Sequence, residues 1–102
     1  MVVVTFPFSD LTQTKRRPAL VVAEVQEDDL ILCQITSRLI TDQYAILIDN
    51  SDFSSGSLRQ SSKIRLNRLF TADQQSILYK VGNLKFKKVN KIILKIVEIL
   101  QQ

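Results

Sequence analysis

The densest group of chemically capable side chains is Lys15-Arg16-Arg17, directly before Pro18. Proline fixes its own φ and pushes the preceding residue towards extended backbone, so the Arg17 guanidinium leaves the chain at a rigid strand entrance. Thr36, Ser37 and Arg38 close a later apolar run. If Glu27, Asp28 and Asp29 form the turn between the two runs, the hairpin brings these three residues beside Arg17 and Pro18. Two guanidiniums and two hydroxyls then converge, a set suited to holding an anion such as a phosphate. A plainer role also fits, in which the arginines keep a loop soluble and the hydroxyls cap a strand end, and spacing alone leaves both open.

Histidine is absent, which removes serine-histidine hydrolases, histidine-pair ribonucleases and histidine metal centres. With one cysteine, Cys33, neither an intramolecular disulfide nor a structural zinc site is available. Catalysis would fall to arginine, lysine, hydroxyls, carboxylates or backbone amides, with no metal and no cofactor. No apolar run is long enough for a membrane span and no secretory pattern opens the chain, so a cytoplasmic location is expected.

The net charge of +4 conceals an asymmetry. Residues 1–52 carry four basic and eight acidic side chains, and residues 53–102 carry ten basic and two acidic. A half at +8 suggests a polyanion surface, although a basic tail and a lysine-rich helix face give the same count. Arg59, Lys63, Arg65 and Arg68 are the candidates for tracking a phosphate backbone.

These side chains need elements to hold them, and 102 residues at 45 % hydrophobic suffice for one domain, residues 1–102. Val2 to Phe6 reads as a strand, with a loop over about residues 7–17. Ala19 to Val25 and Leu30 to Ile35 read as a hairpin, with Cys33 a buried small hydrophobe, and Tyr44 to Ile48 as another strand. Asp49 to Ser62 reads as a loop, and Lys63 to Leu66, alternating charged and apolar, as an edge strand. Gly82-Asn83 supplies a turn before an amphipathic helix without a strong N-cap at Lys85. Its apolar face is Phe86, Val89, Ile92, Ile93, Ile96, Val97 and Leu100, with Lys87, Lys88, Lys91, Lys95 and Glu98 mainly on the other. The expected fold is mainly β with helices (α+β), a small β-barrel with a C-terminal amphipathic helix packed on it. Phe6 and Phe8 flank Pro7, one expected in the core and the other free to stack on a base.

The run Val-Thr-Phe-Pro-Phe-Ser-Asp-Leu-Thr-Gln-Thr-Lys-Arg-Arg-Pro-Ala-Leu-Val-Val over residues 4–22, followed by Leu-Cys-Gln-Ile-Thr-Ser over 32–37, resembles the MazF/PemK family of toxin endoribonucleases. Ser-Lys-Ile-Arg-Leu-Asn-Arg-Leu-Phe-Thr over 62–71 and Val-Gly-Asn-Leu over 81–84 are similar in the same register. The resemblance implies an SH3-like barrel, a homodimer, a neutralising antitoxin with which the toxin binds DNA, and metal-independent, sequence-selective cleavage of single-stranded RNA. Carried over by position, the catalytic pair falls on Arg17 and Thr36. Lys15, Arg16, Ser37, Arg38 and Phe8 fall in the RNA-binding region.

The implied reaction is attack of a ribose 2′-hydroxyl on the adjacent phosphate, leaving a cyclic phosphate and a 5′-hydroxyl. A two-pronged guanidinium and a hydroxyl donor suit the extra charge on the phosphorane. A guanidinium holds its proton near neutral pH and makes a poor base; Asp10 is the nearest loop carboxylate. Some members carry a glutamate five residues before the arginine, where this chain has Thr12. Members usually also have a few residues before the first strand, so either that strand is short and at the barrel edge or the start lies upstream. Two other classes stay open: a non-catalytic relative that binds RNA, and a module whose groove takes an acidic partner peptide.

Overall fold

A computed structural model describes residues 1–9 and 14–102. Asp10 and Thr12, singled out above, lie outside the described residues. Among the described residues seven strands make one antiparallel sheet: β1 (Val2–Ser9), β2 (Thr14–Glu24), β3 (Asp29–Thr36), β4 (Ala45–Ile48), β5 (Phe53–Gly56), β6 (Ser62–Asp73) and β7 (Tyr79–Leu84). Their spatial order is β4-β6-β3-β2-β1-β7-β5. The sheet curls as a half-barrel around one helix, α1 (Phe86–Leu100). Among the described residues no helix is long and apolar enough to cross a membrane.

Both faces of the central strands are covered, which is why β2 and β3 read as continuous apolar runs. On β3, Cys33 and Ile35 face the main core, joined there by Leu20, Ile64, Leu66 and Ile92 of α1. Leu30 and Leu32 face the other way, into a second cluster with Val4, Ala19, Phe6 and Phe70. Successive side chains alternate between faces, so Gln34 and Thr36 belong to the face of Leu32.

The predicted hairpin forms, with Glu27 in its turn at φ +39°. At both described ends of the predicted loop over residues 7–17 the chain is strand instead, because Phe6–Ser9 pair with Arg17–Thr14 and carry the ladder outwards. The first strand is neither short nor at an edge: it has eight residues and lies between β2 and β7. Lys63 to Leu66 belongs to a twelve-residue strand between β3 and β4. Its alternation comes from Lys63 and Arg65, whose heads reach Ile40 O and Asp42 at the rim of the sheet. Opposite Cys33 and Gln34 the partner on β6 jumps from Leu69 to Arg65. This bulge helps the sheet curl.

Residues 49–62 also hold more than a loop, namely a short 3-10 turn (Asn50–Asp52) and β5. In that turn Asp49 accepts from Ser51, which holds its carboxyl below the usual range. Gly82-Asn83 is strand rather than turn, since Gly82 faces Gly56 where β5 and β7 approach too closely for a Cβ on either. α1 begins at Phe86 with no side-chain cap, as expected. Only Val89, Ile92, Ile96 and Ile99 meet the core; Phe86, Ile93, Leu94, Val97 and Leu100 are exposed. Lys88 leaves the wet face, donating to Leu47 O at 2.7 Å and pairing with Asp52 at 3.6 Å.

Cys33 is fully buried, and burial pushes its thiol from an ordinary 9.0 to about 12. The folded chain thus keeps a proton that the unfolded chain releases at lower pH. Its contribution to stability is complete below about pH 9 and is lost as pH rises towards 12. Melting curves between pH 8 and 11 should fall more steeply for the native chain than for Cys33→Ala. Parallel curves would show that the thiol does not control alkaline stability.

Candidate active site

The β2–β3 ladder ends at Ala19–Gln34, but β2 runs on from Pro18 to Thr14 paired only with β1. The two-stranded arm thereby parts from β3. Continuing the lost register by two residues sets Arg17 against Thr36, on the face shared by Gln34 and Ala19. The physical cause is local: Pro18 offers no N–H, and β1 continues opposite it, with Thr5 across from Pro18 and Phe6 across from Arg17.

Two pockets open at this parting, and Arg17, Ile35, Thr36 and Arg38 line both. The larger, about 810 Å³, also takes Arg16 and Pro18 from the arm, Ser37 beyond β3, Ser57 to Gln60 after β5, and Tyr79 to Val81 of β7. The smaller, about 350 Å³, takes Phe8 and Lys15 from the arm, Gln34 and Ile35 from β3, Ile40 from the β3–β4 connection and Arg65 from β6. Each of the seven residues that the resemblance placed in the catalytic pair or the RNA-binding region therefore lines at least one pocket. Among the described lining residues the charges are Lys15, Arg16, Arg17, Arg38, Arg59, Arg65 and Lys80, with no carboxylate. Such a concentration of one sign in a cleft favours an anion.

Thr36 Oγ1 accepts from the Arg38 backbone N–H at 3.2 Å, a bond that fixes the strand end and leaves the hydroxyl proton to donate elsewhere. The expected cap and the expected functional hydroxyl are thus the same atom. Phe6 packs on the second core, and Phe8 stands against it and Phe70 edge-to-face, each centroid separation being 5.4 Å. Phe6 is thus the core ring of the two, and Phe8 also lines the smaller pocket.

Not every candidate cation arrives. Arg68 lines neither pocket, and Lys63 Nζ donates to Ile40 O at 2.8 Å, bracing the connection rather than facing the cleft. Arg65 pairs weakly with Asp42 at 3.5 Å. Sequence reading missed Gln34, Ser57, Gln60, Tyr79 and Lys80. Gln34 carried a usable signal, lying two residues before Thr36 on one strand; Tyr79 and Lys80 reach the site through the pairing of β7 with β1, and Ser57 and Gln60 lie between β5 and β6, which pair with β7 and β3. Among the described residues no group of three or more His, Cys, Asp or Glu gathers to hold a metal.

Arg17 is half-buried and Thr36 sits at a strand end, so neither supports the core. Arg17→Ala and Thr36→Ala should each change unfolding free energy by less than about 1 kcal/mol in urea titrations, the usual range away from a core. A larger loss in either would make that residue structural.

The whole chain is also similar to known proteins. Residues 1–100 match the family model described as the PemK-like, MazF-like toxin of type II toxin-antitoxin systems. Among solved structures, the Mycobacterium tuberculosis toxin MazF-mt6 superposes with a TM-score of 0.78 at 13 % identity, covering 99 % of this chain and 97 % of the other. An endoribonuclease in complex with its cognate antitoxin from a mycobacterial species gives 0.75 at 16 % identity, covering 98 % and 91 %. No curated protein matches the chain.

Proposed function

Given that the chain belongs to the PemK-like, MazF-like toxins of type II toxin–antitoxin systems, an endoribonuclease family, we propose that it cuts single-stranded RNA where β2 parts from β3. The carrying observation is that Arg17 and Thr36, from different strands, share the wall common to two pockets lined by cations. A scissile phosphate on that wall has RNA running into a pocket on either side. The substrate's 2′-hydroxyl attacks the phosphorus, the bond to the 5′-oxygen breaks, and a cyclic phosphate and a 5′-hydroxyl remain. Arg17 holds the equatorial oxygens with its planar fork and Thr36 donates its hydroxyl to the same charge. The arginine cluster supplies positive charge at the phosphorane, which supports a metal-independent reaction. Lys15, Arg16, Ser37 and Arg38 hold the flanking backbone, and Phe8 offers a ring to a base.

The cationic cleft also suits an acidic segment of a cognate antitoxin, a partner supported by the neighbour solved with its own. A homodimer is supported by the outer stripe of α1. Phe86, Asn90, Ile93, Val97 and Leu100 follow the four-three spacing of a helix-pairing seam, and its four apolar members are exposed. Cytoplasmic action belongs to the same reading.

Arg17→Ala should cut a long single-stranded RNA on the order of 10²-fold more slowly than the native chain, with EDTA present throughout. Arg17→Lys should recover little, and Thr36→Ala should lose less than Arg17→Ala, because a neutral donor is weaker than a charged one. A single 2′-deoxy nucleotide 5′ to the cut should abolish cleavage while binding persists. Native-rate cleavage by Arg17→Ala, or normal cutting of the deoxy substrate, would refute the assignment. Sedimentation should give twice the chain mass of 11.7 kDa, and Ile93→Glu should shift it towards one; a fully active native monomer at micromolar concentration would remove the dimer.

A further inference from the structure

We propose that the smaller pocket seats the nucleobase next to the scissile phosphate and that Gln34 reads its edge, an inference that rests on the RNA-cleaving reading above. Gln34 lies two residues before Thr36 on β3, on the same face, so a base entering beside the phosphate meets it directly. The 350 Å³ volume is near the lower end for ligand pockets, about 300–1,000 Å³. That is room for one base with its sugar.

The walls favour a flat aromatic guest. Phe8 projects from the arm and Ile40 from the β3–β4 connection, giving apolar surface in a site otherwise crowded with cations. The Phe8 ring is already braced edge-to-face by Phe6 and Phe70, so stacking on it costs little further ordering. Lys63 Nζ, bonded to Ile40 O at 2.8 Å, fixes the other wall.

Among the polar residues of this pocket, Gln34 alone presents a donor and an acceptor side by side on an uncharged planar group. Among the described residues no hydrogen bond engages its amide, and it is half-buried, which leaves the group available and partly shielded from water. A carboxamide matches the adjacent N7 and N6 of adenine with two parallel bonds. Arg65, at 3.5 Å from Asp42 and with Nε buried without a partner, is an incompletely compensated cation beside it, suited to the nucleotide's phosphate. Gln34 thus gives the pocket a two-bond partner for adenine.

The test uses RNAs that differ only in the base on each side of the cut, with all four bases at each position. The native chain should favour adenine at one of the two positions by on the order of 10-fold or more over the next base. Gln34→Ala should flatten that preference by slowing cleavage of the favoured RNA most. The near-isosteric Gln34→Glu should redirect it towards cytosine, whose N4 donates to a carboxylate. An unchanged preference in both variants would overturn the inference and leave the endoribonuclease reading standing. A native preference for another base at both positions would overturn it as well. A native chain that cuts none of the RNAs takes down both.

Discussion

The site depends on a ladder that stops early. β2 must pair with β1 over eight residues and with β3 over a shorter span, and at Pro18 it keeps the first partner and gives up the second. Had β2 and β3 stayed paired to the end, backbone hydrogen bonds would fill the space between Arg17 and Thr36. The parted strands instead hold the two side chains at the mouth of a cleft, on backbones still anchored by the rest of the sheet. A rigid mount on two neighbouring strands fixes a pair of side chains better than a loop would.

Two buried faces make that mount stiff. The helix-covered core holds Cys33 and Ile35 on β3, while Leu30 and Leu32 are locked on the opposite face. The strand that carries Gln34 and Thr36 therefore has little freedom to tilt. The aromatic trio extends the second core up to the edge of the cleft, so its packing reaches Phe8 on the arm.

Much of this was legible in the chain of residues, and the exceptions have physical causes. The Pro18 entrance, the acidic turn and the Ile-Thr-Ser strand end encode local geometry, and local geometry was enough to bring Arg17 and Thr36 together. The ends of the expected loop over 7–17 are strand because Lys15 and Arg16 are exposed on the arm and Pro7 breaks the pattern of β1, so the apolar contact of Phe8 with Phe6 and Phe70 leaves no strand periodicity to read. Gly82 read as a turn because nothing nearby in sequence reveals that β5 packs against it. On α1 one apolar arc contains both a buried stripe and an exposed one, and periodicity alone cannot divide them. Tyr79 and Lys80 reach the larger pocket through a pairing of β7 with β1 that joins distant parts of the chain, so no short pattern announces them.

An open sheet of this kind has two outer strands, each a row of peptide groups able to template a stranger. On the β4 side the chain guards itself with its own lysine: Lys88 leaves the wet side of α1 and caps the carbonyl of Leu47 with an ammonium. An incoming strand would have to displace a charged donor before it could add a single backbone bond there, and it would find only four residues to follow. On the other side β5 is equally brief and ends at Gly56, whose positive φ turns the backbone out of strand geometry. A half-barrel that never closes can in this way avoid edge-to-edge polymerisation, spending one lysine and one glycine where a closed barrel would need further strands.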